Sequence, residues 1–165
     1  LQNALNLENE DLTLYRRFGY YTSAFGEGWA LYSERLSVEL GMAKTLFDEL
    51  GVLQSELFRS VRLVVDTGLH YKRWTREEAM DYMKKTTGMS DAEVVSEIER
   101  YIVWPGQACS YKVGMIKILD LRERAKDQMG DSFDIRDFHS AVLDHGEPPL
   151  FIVEELVDEM ISDAN

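Results

Sequence analysis

Cysteine is almost missing from this sequence: Cys109 stands alone, so no internal disulfide can form and no cysteine-based zinc knuckle exists. That leaves the cellular compartment open. Long apolar runs are missing too, and none approaches the ~20 residues of a membrane span. Three prolines and eleven glycines are too few for a low-complexity or disordered chain. Basic residues are outnumbered by 30 acids to 18, for a net charge of −12. Nucleic acid is thereby excluded as a partner, because phosphate binding rests on Lys and Arg releasing counterions. The same sign disfavours anionic membranes and serves chiefly to keep the chain in solution. Several catalytic signatures are absent as well. There is no His-Glu-x-x-His or Glu-x-x-His pair, no Gly-x-Ser-x-Gly elbow, no P-loop and no dinucleotide fingerprint.

What is present reads as helix. The chain has 165 residues, 45% of them hydrophobic, and folding at that length buries about 68–70% of the unfolded surface. Almost every segment has helical period and none alternates as a strand does. The expected fold is all-α, one domain of about eight helices over residues 1–165. The first helix is expected over residues 1–18 and the second over 23–40, ended by Gly41. Residues 43–50 are expected as a short helix closed by Gly51, and residues 52–69 as a long one with Leu53, Leu57, Val61, Val64 and Val65 apolar. Thr75 with Glu78 and Ser90 with Glu93 have capping-box spacing, opening helices over 76–86 and 91–103. Trp104-Pro105-Gly106 breaks the second of these, and Pro105 is expected in the first turn of a helix running to Met129. Helices over 134–145 and from Pro149 to Ser162 complete the expectation. The opening Leu1-Gln2-Asn3-Ala4-Leu5 carries no capping residue, so the first helix is expected to begin in mid-course, as part of a longer chain.

Two clusters could carry chemistry. In Phe25-Gly26-Glu27-Gly28-Trp29-Ala30-Leu31-Tyr32-Ser33-Glu34, the two acids lie about 20° apart around a helix. Glycines there are expected where something approaches the backbone closely, against the plain alternative of an exposed acidic stripe. In Glu99-Arg100-Tyr101 through Gln107 and Ser110-Tyr111-Lys112, polar groups gather at a helix break. Such breaks favour anions, and Tyr and Arg stabilise a developing oxyanion; a tight helix corner with satisfied hydroxyls is the alternative. Of the three histidines, His139 and His145 read as structural. His70 stands four residues after Asp66, which could orient its ring on the same helix face.

These blocks, with Asp66-Thr67-Gly68-Leu69-His70, Phe138-His139 through Leu143, Gly146 and Pro149-Leu150, resemble a bacterial family, domain of unknown function 885. Its members resemble gluzincin metallopeptidases. The likeness runs in order along nearly the whole chain. It implies a zinc-binding His-Glu-x-x-Pro-Gly-His-His-x-Gln segment whose tail falls on Leu1-Gln2, its histidines lying upstream of residue 1. It implies Glu27 as the remaining zinc ligand and Glu34 as a residue beside it or facing substrate. Tyr101, His70 and Tyr111 are implied as catalytic groups, stabilising the oxyanion of a cleaved amide, with Arg100, Gln107 and Lys112 holding a peptide. Glu27, His70, Tyr101 and Tyr111 are then expected to converge on one cleft. The zinc and the peptide or amide substrate would belong to the intact protein, whose upstream half is this chain's partner, and the chain alone would hold an incomplete site. The competing expectation is a helical scaffold without chemistry.

Overall fold

The computed structural model describes residues 2–164, and the expectation for Leu1 lies outside them. The fold is all-helical. Among the described residues there are nine α-helices and no strand: α1 Gln2–Glu8, α2 Leu14–Phe18, α3 Ser23–Glu39, α4 Leu46–His70, α5 Arg76–Thr87, α6 Asp91–Val103, α7 Ser110–Met129, α8 Ile135–Leu143 and α9 Leu150–Asp163. The chain packs as two compact units. One comprises Leu1–Trp29 with Gly114–Asn165, the other Ala30–Val113, so α3 and α7 each contribute to both.

Local chemistry sets most boundaries. The capping boxes at Thr75 and Ser90 form as expected, each hydroxyl accepting the backbone N–H three residues on and each acid reaching back. A third box, Thr45 with Asp48, opens α4 and was not read from the sequence. The expected first helix is instead two, because Asn9 accepts the Asp11 N–H in a turn and Thr13 then caps α2. The expected break at Gly51 does not occur. Glycine costs only about 1 kcal/mol in a helix interior, and 25 continuous residues of α4 pass through it. Pro105 lies in a turn rather than in the first turn of α7, which begins after a short 3₁₀ segment, Gln107–Cys109. Gly106 makes that turn at φ +81°, a conformation open mainly to glycine.

In the second unit, Val61 and Val65 of α4, Ala79 and Met83 of α5, and Val94, Ile98 and Tyr101 of α6 share one apolar core. Only the second half of α4 is buried. Leu46, Phe47, Leu50 and Leu53 of its first half are all more than half exposed, and Leu57 and Val64 are exposed too. Val65→Ala is accordingly expected to destabilise by roughly 1–3 kcal/mol, whereas Leu46→Ser stays within about 0.5 kcal/mol. Urea midpoints of the two variants check this, and equal shifts would contradict the assignment of the core. In the first unit Phe25, Met115, Ile118, Leu121, Phe138, Val142, Val153 and Val157 are buried.

Candidate functional site

The Glu27 segment lies in the first unit. Its glycines have a packing cause. A Cβ at Gly28 would fall 2.6 Å from the carbonyl carbon of Gly114, and one at Gly114 would fall 2.7 Å from Gly28 Cα and press into the Ala24 carbonyl. The close approach expected from the sequence is therefore real, and the approaching group is the backbone of α7. Gly26 leaves room for the Tyr21 ring and for Glu147 Oε2, 3.1 and 3.5 Å from where its Cβ would stand. Trp29 packs edge-on against His139, with ring centroids 5.3 Å apart.

Glu27 is half-buried, and its charge acts on a neighbour that the sequence did not single out. Glu147, between Gly146 and Pro148, is only 8% exposed. Burial pushes its carboxyl above the ordinary value, the Thr22 backbone N–H pulls it down, and the charge of Glu27 pushes it up again. Its Oε2 has no hydrogen-bond partner among the described residues.

The second cluster lies wholly in the other unit and centres on a residue pair, Arg62 and Glu97. Oε2 of Glu97 accepts from Tyr101 Oη at 2.5 Å, Arg100 Nη2 at 3.0 Å and Arg62 Nη2 at 3.2 Å. Burial alone would raise the Glu97 carboxyl, but the hydrogen bonds from Tyr101 and Arg100 and the two guanidinium charges hold it below its usual value. The Arg62 side chain is 7% exposed. Its guanidinium carbon lies 4.3 Å from the Phe58 ring centroid and 4.7 Å from that of Tyr111, an arrangement favoured by cation–π attraction. Tyr101 is fully buried, and burial with the Glu97 carboxylate pushes its phenol far above the usual range. Its one proton is already given to Glu97.

The remaining expected residues of this unit each have a partner of their own. Arg100 Nη1 donates to Gln107 Oε1 at 2.9 Å. Lys112 pairs with Glu56. Glu34 Oε2 accepts from Ser55 Oγ at 2.5 Å, and Ser55 accepts from Arg59 Nη1 at 2.6 Å. His70 Nε2 lies 3.0 Å from the Tyr101 carbonyl; a carbonyl only accepts, so that nitrogen carries the proton. Asp66 does not take up the expected role of orienting His70. Both its oxygens accept the Gly106 N–H, at 3.1 and 3.0 Å, which anchors the turn after α6. Burial, with the charge and hydrogen bond of Asp66, also pushes the Cys109 thiol up to about 11. Tyr101 and Tyr111 thus pack directly on the Arg62–Glu97 pair and His70 touches the Tyr101 backbone, while Glu27 belongs to the first unit.

Arg59, Arg62, Glu97 and Glu147 were all missed in the sequence. For α4 a signal existed: Arg62 and Asp66 follow Val61 and Val65 by one position, so charged groups sit beside the core stripe of the helix. For Glu147 the sequence offers none.

A crystal structure described as a "putative lipoprotein" from Colwellia psychrerythraea is 53% identical, with a TM-score of 0.94 over 98% of this chain. Another, a "putative lipoprotein of unknown function" from Shewanella oneidensis, is 28% identical, with a TM-score of 0.83 over 92%. The chain spans 28% of the length of each. No curated protein matches it. The sequence model that fits residues 1–157 is that of "Bacterial protein of unknown function (DUF885)", and the chain belongs to that family.

Proposed function

We propose that this chain is the C-terminal part of a zinc-metallopeptidase-like amide hydrolase, to which it contributes Glu27 as a metal ligand. The observation that carries the reading is the setting of Glu27. A half-buried carboxylate stands on a helix pinned at Gly28, close enough to a second, buried carboxyl to raise its proton affinity. The described residues do not complete a metal site, however. No three His, Cys, Asp or Glu side chains among them converge, and a catalytic zinc takes three protein ligands. The reading therefore needs further ligands from outside residues 1–165, and the chain alone is expected to be inert toward peptides. In the second unit, Arg100, Gln107, Lys112 and Tyr111, none of them fully buried, are the groups we assign to a peptide substrate, with Glu34 and His70 beside them. Tyr101 is assigned to holding Glu97 in place. The description of the similar structures as lipoproteins supports a cell-envelope location, and no described helix is long and apolar enough to cross a membrane.

One observation favours a second reading, a scaffold without chemistry: Gly26, Gly28, Asp66 and Tyr101 all have packing or capping causes within this structure. Zinc content separates the two. Full-length protein is expected to retain zinc through dialysis, and its Glu27→Gln variant to lose it. Equal zinc in both forms would remove Glu27 from the metal, and zinc in neither would favour the scaffold.

A further inference from the structure

Glu147 lies at the common wall of two cavities in the first unit, of ≈ 250 and ≈ 260 Å³. Tyr15, Tyr20, His145 and Pro149 line the first, and Asn6, Phe18, Tyr20 and Tyr21 line the second. Three of these rings are largely exposed, so aromatic surface stands outside a carboxylate that lies beneath it. That carboxylate is more than nine-tenths buried and lacks a donor for Oε2. A buried carboxyl with an unmet oxygen is costly unless a cation or donor reaches it. Of the other charged groups, Arg16 lines both cavities and Arg17 the second, with Glu27 bearing on Glu147 through its charge. The Arg17 guanidinium is turned to the Leu7 carbonyl.

We propose that Glu147, with Tyr20 and Tyr21, forms a subsite for the ammonium group of a primary amine. A metal ion fits less well, because no third ligand converges here among the described residues. An ammonium brings up to three N–H donors to one carboxylate, and its charge is attracted to aromatic faces. Aromatic walls with a few convergent polar groups are also the usual make-up of a small-molecule site. Where the peptidase reading holds, the amine is the N-terminus of a peptide substrate, so this subsite deepens that reading. The binding itself stands on the geometry of the first unit.

The test is therefore binding and not turnover, so that its failure is distinct from loss of zinc at Glu27. The probe is leucinamide, with N-acetyl-leucinamide as its uncharged counterpart, titrated into the 165-residue chain and followed by backbone amide NMR. Leucinamide is expected to shift the amides of Tyr20, Tyr21, Gly146 and Glu147 in a saturable manner. The acetylated probe should leave them in place. Glu147→Gln keeps the size and the acceptor for the Thr22 N–H, and should weaken the amine at least about tenfold. Equal shifts from both probes would overturn the proposal. So would an unmoved set of amides, or a Glu147→Gln chain that binds leucinamide as tightly as the parent. Because the acetylated control uses the unaltered chain, the outcome does not depend on the variant folding.

Discussion

Gly114→Ala is expected to destabilise the protein by at least about 3 kcal/mol, a large share of the roughly 5–15 kcal/mol that keeps a domain folded. The added Cβ would stand 2.7 Å from Gly28 Cα and 3.0 Å from the Ala24 carbonyl carbon. These are backbone atoms of a helix, so no rotamer change relieves the overlap; α3 and α7 would have to separate within the first unit. Gly28→Ala meets the same wall from the other side, at 2.6 and 2.9 Å from backbone atoms of Gly114 and Met115, and should be comparably severe. The matched control is Gly51→Ala. Gly51 lies inside α4 with nothing within 4 Å of its would-be Cβ. There the methyl group is expected to stabilise by roughly 0.5–1 kcal/mol, through helix propensity and a less flexible unfolded chain. Urea unfolding followed by far-ultraviolet circular dichroism distinguishes the three. Wild-type stability in Gly114→Ala would mean that the helices are not in backbone contact at this crossing.

That crossing shows what the sequence could and could not convey. A helix interior bearing Gly26 and Gly28 signals a close approach, and a close approach is what the fold contains. Sequence spacing carries no information on the identity of the approaching group, and a ligand and a helix backbone leave the same mark. Helix boundaries were legible where a hydroxyl and an acid cooperate locally, at Thr75 and Ser90, because the capping box is complete within four residues. They were misread where one residue type has two outcomes. Gly41 and Gly88 adopt positive φ and end helices, whereas Gly51 is carried through by the helix around it. The break between α1 and α2 depended on the Asn9 side chain taking a backbone donor, a local competition that a count of apolar positions does not register.

The polar clusters were legible by membership and illegible by role. Arg100, Tyr101 and Gln107 were singled out together, and they do meet. Their organising partners, Arg62 and Glu97, were not, because Arg62 comes from another helix and Glu97 looks like one more surface acid in an acidic chain. Tyr101 and Asp66 illustrate the consequence. Each looked chemically available in the sequence, and each is already engaged, Tyr101 with Glu97 and Asp66 with Gly106. Glu147 was invisible because burial alone distinguishes it from the other acids.

Glu97→Gln is expected to produce the largest loss of stability in the second unit, about 3 kcal/mol, the lower end of the range for removing one partner of a buried ion pair, because the Glu97 side chain is 22% exposed. The substitution keeps size and shape. It removes the carboxylate facing Arg62, a guanidinium 7% exposed that would be left with the Phe58 and Tyr111 rings, and it weakens the acceptor of Tyr101 and Arg100. Tyr101→Phe should be milder, about 1.5–3 kcal/mol, because it deletes one charge-assisted hydrogen bond and leaves both arginines paired. If the hydrolase proposed above is real and Tyr101 only supports Glu97, that substitution lowers Tm of the full-length protein and leaves its kcat unchanged. A pH profile isolates the Glu97 contribution. Its folded pKa lies below the ordinary carboxylate value. The stability it confers is therefore complete above about pH 4.3, the unfolded value, and is lost as pH falls through the lower folded value. Asp48, Glu78, Glu93, Asp134 and Glu154 are lowered as well, so the parent alone cannot assign its acid limb. The difference between parent and Glu97→Gln can, since the shared carboxylates cancel. That difference should be constant from neutral pH to about pH 5 and narrow progressively below. Replacing Arg62 and Glu97 together by methionine should recover much of the loss, because the isolated charge is then gone. A Glu97→Gln chain within about 1 kcal/mol of the parent, with parallel acid limbs, would show that Arg62 is sufficiently stabilised by its aromatic rings and that the pair does not organise the cluster.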